Sequence, residues 1–412
     1  MPEKMKYVII VGDGMADDPV QSLGGRTPLM VARTPHMDWM AKQGELGLVR
    51  TVPEGFNPGS EIANLSIFGY DPIRYYTGRG PLEAASLGVN LAGDDIAFRC
   101  NLVTLKFQGN KIVMEDFSAG HITDGEAKKV ILDLNKEMAT NEIQFYPGVS
   151  YRHLMVLKNG AAKFSNLEKL ELTPPHDIIG KEITTFLPQK KEPVLALMNE
   201  SQKLLKSHPV NLARVSKGLP PANSIWLWGQ GRSPRMITLK ERFGMDGYVI
   251  SAVHLIKGIG ILAGLEVLEV PGITGYFDTN YDGKVQYTMR GLKEKDFVYV
   301  HVEAPDEAGH MGNLPLKIKA IEAFDEKIVG PILKGIKDFK RYKVLVLPDH
   351  PTPLSVRTHT ADPVPYVIYS NEDGATSSHG ETFDEVSAGR SGISIEKGFE
   401  LIERFLKPYN SG

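Results

Sequence analysis

Seven side chains able to carry metal or nucleophile chemistry are spread along a chain of 412 residues: Asp13, Ser60, Asp306, His310, Asp349, His350 and His359. Each is ordinary alone. Asp13 lies in Val11-Gly12-Asp13-Gly14, which by itself reads as a turn. Ser60 follows Pro58-Gly59 and opens an amphipathic stretch, where a helix start offers free N–H groups and a positive dipole end to a phosphate. Taken singly, it reads as an N-cap serine with Glu61 in the first turn. In Asp306-Glu307-Ala308-Gly309-His310 the outer residues share one helical face and can converge on one ion. Leu347-Pro348-Asp349-His350-Pro351 puts an Asp-His pair after an apolar run, with His359 a short loop further on. Jointly, three carboxylates, three imidazoles and a hydroxyl suit two divalent cations beside an activated alcohol. Mixed oxygen and nitrogen donors favour manganese or zinc over magnesium or calcium, with magnesium and cobalt as further candidates.

The elements that must bring these groups together follow from hydrophobic patterning. Residues 7–11, 224–228, 297–303, 343–347 and 366–369 are apolar nearly throughout, a pattern that predicts parallel strands buried on both faces. Between such runs, residues 317–333 place Ile318, Ile321, Phe324, Ile328 and Ile332 at helical spacing, and residues 394–406 do so with Ile395, Phe399, Ile402 and Leu406. Strands alternating with helices predict a doubly wound, mostly parallel α/β sheet, which collects ligands at the carboxyl ends of its strands. The middle of the chain differs: residues 96–107, 111–114, 143–146 and 152–157 are strand-like with few long helices between them. We expect a smaller inserted α+β domain over residues 94–199, within a core domain formed by residues 1–93 and 200–412. Its edges are expected near Gly93-Asp94-Asp95 and near or before Gly218-Leu219-Pro220-Pro221.

A formal charge of −3 gives no reason to expect nucleic acid or an anionic membrane as partner, so phosphate recognition must be local. Cys100 is the single cysteine, which excludes an internal disulfide and fits a reducing compartment. The apolar run before Asp13 is too short for a signal peptide's core, and residues 248–270 are interrupted by His254, Lys257, Glu266 and Glu269. A cytoplasmic protein without a membrane span is expected.

The order Asp, Ser, Asp-x-x-x-His, Asp-His, His resembles the ligand order of the alkaline phosphatase superfamily, and within it the cofactor-independent phosphoglycerate mutases of the archaeal type. Thr27-Pro28-Leu29, Thr34-Pro35-His36-Met37-Asp38, Leu65-Ser66-Ile67-Phe68-Gly69-Tyr70-Asp71-Pro72, Gly78-Arg79-Gly80 and Ser150-Tyr151-Arg152-His153-Leu154 look like that family's signatures. The resemblance implies an alkaline-phosphatase-like fold, one ion on Asp306, His310 and His359, and a second on Asp13, Asp349, His350 and Ser60. It also implies interconversion of 3-phosphoglycerate and 2-phosphoglycerate through a phosphoserine at Ser60. Asn64 stands where relatives commonly carry histidine, and His121 where arginine is expected; both departures fall near the expected substrate.

A small phosphorylated substrate needs cationic donors. The candidates are Arg79, Arg99, Arg152, Arg232 and Lys257, with His153, His176 and Asp177 for general acid or base work. One alternative keeps the fold and changes the acceptor, because Tyr75-Tyr76-Thr77-Gly78-Arg79, Pro175-His176-Asp177-Ile178 and the stretch from Trp226 to Pro234 look closer to a bacterial branch proposed to contain homoserine kinases. A metal-dependent phosphomonoesterase and a non-catalytic metal- or phosphate-binding protein are the others. Against a kinase, the chain has no Gly-x-x-x-x-Gly-Lys-[Ser/Thr] loop.

Overall fold

Strands form where the apolar runs predict them. A computed structural model describes residues 4–109, 111–188, 193–372 and 382–407. Its strands are, in chain order, β1 (Lys6–Gly12), β2 (Glu45–Val49), β3 (Ile96–Gln108), β4 (Lys111–Asp116), β5 (Ile143–Val149), β6 (Arg152–Leu157), β7 (Ser224–Gly231), β8 (Gly247–Ile250), β9 (Glu266–Val267), β10 (Phe297–Val302), β11 (Tyr342–Leu347), β12 (Val364–Ser370) and β13 (Ser394–Ile395). They divide between two compact units, Met1–Tyr76 with Arg235–Gly412, and Thr77–Pro234.

The first unit holds an eight-stranded sheet of order β13-β2-β12-β11-β1-β10-β8-β9. At its centre β11, β1 and β10 run parallel, with Val11 opposite both Leu347 and His301. Three neighbouring strands therefore end at one level. Val8, Ile10, Val298, Val300, Val344 and Val346 pack with Phe324, Ile328 and Ile332 in the core. The last three come from one helical run in which Leu314–Phe324 passes through a π-turn, Asp325–Val329, into Gly330–Gly335. The sheet is mostly parallel, but β12 is antiparallel to both neighbours; burial on both faces gives no sign of strand direction. The helix expected over residues 394–406 begins instead as β13 beside β2, then a 3-10 turn, Gly398–Glu400, and becomes helical only over Leu401–Leu406. Gly398 sits so close to the backbone of Arg50 that a side chain there would clash.

The second unit is wider than the expected inserted domain. Its five-stranded sheet is antiparallel, in the order β4-β3-β6-β5 with β7 added beside β3. The run at residues 224–228 thus belongs here and not to the parallel sheet. Pairing of β7 with β3 moves the later boundary to Pro234, and the helix Arg79–Ser86 moves the earlier one to Thr77, because Gly80 packs against the Ala97 carbonyl. Two long helices, Asp124–Met138 and Pro193–Lys206, also lie in this unit, the first of them between its strands. Val130, Ile131 and Leu134 of the first share one core with Phe98, Cys100, Ile225 and Leu227. No described helix is long and apolar enough to cross a membrane.

A buried polar cluster ties the loop after β1 to the first unit's core. Lys317 Nζ bonds the Asp17 carboxylate (2.6 Å) and the carbonyls of Ala16 and Thr352. The Glu385 carboxylate accepts from Asp17 N (3.1 Å) and Thr27 Oγ1 (2.7 Å). Burial pushes that carboxyl up to about 7. A raised folded pKa makes the contribution to stability greatest below the free value of 4.5 and lost as pH rises through about 7. Glu385→Gln is therefore expected to match the parent protein at pH 5 and to exceed it at pH 8 by on the order of 3 kcal/mol in urea unfolding.

Candidate active site

The parallel centre of the first unit delivers its polar ends to one place. Asp13 follows β1 directly and its N–H donates to the Val302 carbonyl at the end of β10 (2.9 Å). Asp349 and His350 follow β11, and β10 runs through Glu303 into the helix Ala304–His310, which carries Asp306 and His310 on one face. Gly14 sits with φ +60 where an added Cβ would lie 2.5 Å from Asp306 Oδ1 and Thr352 Oγ1. Only glycine lets the β1 loop pass so close.

Two groups of ligand atoms result, Asp13 with Asp349 and His350, and Asp306 with His350 and His359, the atoms of each within 4.8 Å of one another. His310 Nε2 lies 3.2 Å from Asp306 Oδ2 and 3.0 Å from His359 Nε2. His350 thus stands in both groups, where the resemblance implied one. Ser60 is the first residue of the helix Ser60–Ile67, with Gly59 as N-cap. The capping role is therefore not Ser60's; its Oγ lies 3.1 Å from His350 Nε2.

Asp349 is the most constrained ligand. Its Oδ1 accepts from Gly14 N (3.1 Å) and His350 N (2.9 Å), and its Oδ2 from Asn64 Nδ2 (2.8 Å). Burial would raise its pKa, but the His350 and His301 rings and the Gly14 N–H outweigh this and hold it at about 2. Asp13 goes the other way: burial and the charges of Asp349 and Asp306 push it well above the usual carboxylate range. Against the burial that would raise it, His310 and His359 hold Asp306 well below that range. In return Asp306 lifts His310 to about 9. In the cation-free protein, Asp306→Asn is expected to bring His310 down from about 9 toward 6.5, read from its ring resonances in an NMR titration.

His310 Nδ1 faces the Arg357 carbonyl at 3.0 Å. A carbonyl only accepts, so Nδ1 carries a proton, and it is Nε2 that would give up its own to turn a lone pair to a cation. Arg357 holds that carbonyl in place from a left-handed backbone, φ 55.

The second unit carries a separate cation–aromatic cluster. Arg99 and Arg79 lie over the Trp228 ring at 4.4 and 5.5 Å, and Arg99 Nη2 pairs with Glu83 at 2.9 Å. His176 meets Trp228 edge-on at 5.5 Å, with Asp177 3.6 Å from its Nε2. Burial first, and the Arg79 and Arg99 charges next, lower the His176 pKa despite Asp177. The other candidates have different employment. His153 is buried, its Nδ1 accepting from Gly148 N (3.0 Å). Exposed Arg152 stacks on Tyr151, and Arg232 donates to the Gly93 carbonyl and faces Asp94 at 3.3 Å. Lys257, in the first unit, pairs with Glu269 at 2.7 Å.

A sequence profile described as 2,3-bisphosphoglycerate-independent phosphoglycerate mutase matches residues 41–211. The probable 2,3-bisphosphoglycerate-independent phosphoglycerate mutase of Geobacter sulfurreducens is 53% identical over 404 residues, covering 98% of this chain and 100% of its own. The chain belongs to this family. The mutase of Methanosarcina acetivorans is likewise 53% identical, covering 98% and 100%. Among solved structures, a protein of Pyrococcus horikoshii superposes with a TM-score of 0.81 at 28% identity, covering 98% of this chain and 97% of that one. The cofactor-independent phosphoglycerate mutase of Thermoplasma acidophilum gives a TM-score of 0.65 at 28% identity, covering 98% and 100%.

In this mutase-family chain the donor set fits a pair of divalent cations. Asp13 Oδ1 is buried without a hydrogen bond, three carboxylates crowd one another, and the Nε2 atoms of His310 and His359 converge to 3.0 Å. Each is a deficit that a cation would satisfy. Sequence reasoning missed Thr352, whose Oγ1 bonds Asp306 (2.5 Å) and faces His350 Nδ1 (3.3 Å), and also Tyr299, His301 and Lys284. The legible signal was the alternation of Tyr299, His301 and Glu303 within an otherwise apolar run. Asn64, noted as a departure near substrate, is turned instead onto Asp349 and the Ser60 carbonyl. His121 lies exposed in the second unit beside Phe117 and Tyr151.

Proposed function

We propose that the chain interconverts 3-phosphoglycerate and 2-phosphoglycerate without a bisphosphorylated cofactor, through a phosphoserine at Ser60, in the cytoplasm. The observation that carries this reading is Ser60 Oγ at a helix N-terminus, 3.1 Å from His350 Nε2 and beside both ligand groups. Asp306, His310 and His359 would hold one cation and Asp13, Asp349, His350 and Ser60 the other, with His350 placed to serve either. When bound, the two cations, manganese or zinc by donor chemistry and magnesium or cobalt as further candidates, supply Lewis-acid charge at the serine and phosphoryl oxygens.

Ser60 Oγ attacks phosphorus in line; the Oγ–P bond forms as the bond from phosphorus to the substrate oxygen breaks. The proton lost by Ser60 balances the one gained by the departing oxygen. The positive end of the Ser60 helix would favour the phosphoryl oxygens. The neighbouring hydroxyl of retained glycerate then attacks phosphorus, the Oγ–P bond breaks, and Ser60 recovers its proton. Retention decides the outcome, since water in place of glycerate makes a phosphatase. Arg79 and Arg99 beside Trp228 have the chemistry to hold carboxylate or phosphate, and His176, kept neutral, can accept a proton.

Three assays of the Mn²⁺-loaded enzyme test the reading: 3-phosphoglycerate with a coupled readout of 2-phosphoglycerate, homoserine with ATP, and a generic phosphomonoester. Turnover of 3-phosphoglycerate is expected to dominate. Turnover of homoserine alone would replace the mutase with the kinase.

A further inference from the structure

Buried polar side chains beneath the site make a second, unassigned layer. Tyr299, His301 and Glu303 alternate along β10 and just past its end, and with Lys284 of the helix Tyr281–Glu294 they are almost wholly inaccessible: 0% exposed for Tyr299, His301 and Lys284, and 3% for Glu303. Burying a phenol, an imidazole, a carboxylate and an ammonium group is costly unless each finds a partner.

The partners form two arms that meet at the ligand carboxylates. In the first, Lys284 Nζ donates to Glu303 Oε2 (2.9 Å) and to the His301 carbonyl (2.5 Å). Glu303 Oε1 also accepts from Ala252 N (2.8 Å) and Ser251 Oγ (3.1 Å), and stands 3.4 Å from His301 Nδ1. The other ring atom, Nε2, has no hydrogen bond and points between Asp13 Oδ2 (3.5 Å) and Asp349 Oδ2 (3.8 Å). In the second arm the Tyr299 hydroxyl donates to Asn64 Oδ1. That fixes the amide so that Nδ2 donates to both the Ser60 carbonyl (2.8 Å) and Asp349 Oδ2 (2.8 Å). A pair serving only the fold would end at Lys284 and Glu303; the ring of His301 carries the contact on to Asp13 and Asp349.

We infer that His301 and Tyr299 are positioning residues for the Asp13–Asp349–Ser60 half of the site, His301 setting the two carboxylates and Tyr299, through Asn64, locking the start of the Ser60 helix to Asp349. Glu303 and Lys284 hold the His301 ring in its plane. The Asp306–His310–His359 half is oriented separately, by Thr352 and the Arg357 carbonyl.

This inference rests on the two-cation reading, and one titration separates the two. Cation-free protein is titrated with Mn²⁺ by calorimetry, and Asp13→Asn and His359→Asn identify which binding step belongs to which half. His301→Gln is expected to weaken the Asp13 step by roughly 10–100-fold, as loss of a partner behind a ligand does, and to leave the His359 step within about threefold. Both steps within about threefold of the parent protein would overturn the inference while leaving the two-cation reading intact; a parent protein that takes up no Mn²⁺ would overturn both. Should His301→Gln fail to fold, Tyr299→Phe, which removes one oxygen, is expected to lower kcat about tenfold with KM unchanged. An unchanged kcat in that variant would count against the Tyr299 arm.

Discussion

Ser60→Ala is expected to abolish turnover, with kcat falling roughly 10⁴-fold or more, while the fold and the uptake of at least one cation survive. The fold survives because Gly59, not Ser60, caps the helix, and alanine is the best helix former at an ordinary helical position. The chemistry does not survive, because the substitution removes the hydroxyl that lies 3.1 Å from His350 Nε2 at the head of that helix. A variant retaining turnover within about tenfold of the parent would mean that water or another group attacks phosphorus. Initial rates with 3-phosphoglycerate at saturating Mn²⁺, alongside a thermal melt, check both halves of the expectation.

Asp349→Asn is expected to be nearly as severe, lowering kcat roughly 10³-fold and removing one of the two Mn²⁺ binding steps. Both carboxylate oxygens of Asp349 already accept: Oδ1 from Gly14 N and His350 N, Oδ2 from Asn64 Nδ2. An asparagine must turn its NH₂ toward one of those sets of donors. Either orientation sets donor against donor in a fully buried position, and the negative charge that its surroundings stabilise is gone. Mn²⁺ stoichiometry in the purified variant and its initial rates are the measurements; two intact binding steps would refute the ligand assignment.

Much of this was readable from residue types, for reasons that differ element by element. Asp13, Asp349 and Asp306 could be located because each follows an apolar run, and β1, β10 and β11 are consecutive parallel neighbours whose ends lie level. The four-residue spacing of Asp306 and His310 fixes their meeting once that segment is helical. What periodicity could not give was partnership. Residues 224–228 have the same fully apolar signature as β1, yet they pair antiparallel with β3 in the second unit, since a strand buried on both faces looks alike in either sheet. That misplacement, with the helix Arg79–Ser86, is why the inserted unit runs from Thr77 to Pro234 and not over 94–199.

Side-chain destinations were the other blind spot. His153 sits in a family-like motif but is buried in β6, and Arg232 and Lys257 are committed to Asp94 and Glu269. Asn64 is four residues past Ser60, so its place on the same helical face was legible; that the face turns toward Asp349 and not toward substrate depends on Tyr299, far away in sequence. The alternation of His301 and Glu303 with apolar residues was legible, but that they reach Asp13, Asp349 and Lys284 depends on strands and a helix distant in sequence.

During the reaction the phosphoryl group is expected to reside on Ser60. Acid quenching of Mn²⁺-loaded enzyme in steady turnover of 3-phosphoglycerate, followed by peptide mass mapping, tests it directly. One added phosphoryl group on the peptide containing Ser60, absent in Ser60→Ala and present without any bisphosphorylated cofactor, is the predicted result. A phosphoryl group on a different residue, or none on an enzyme that is demonstrably turning over, would contradict it.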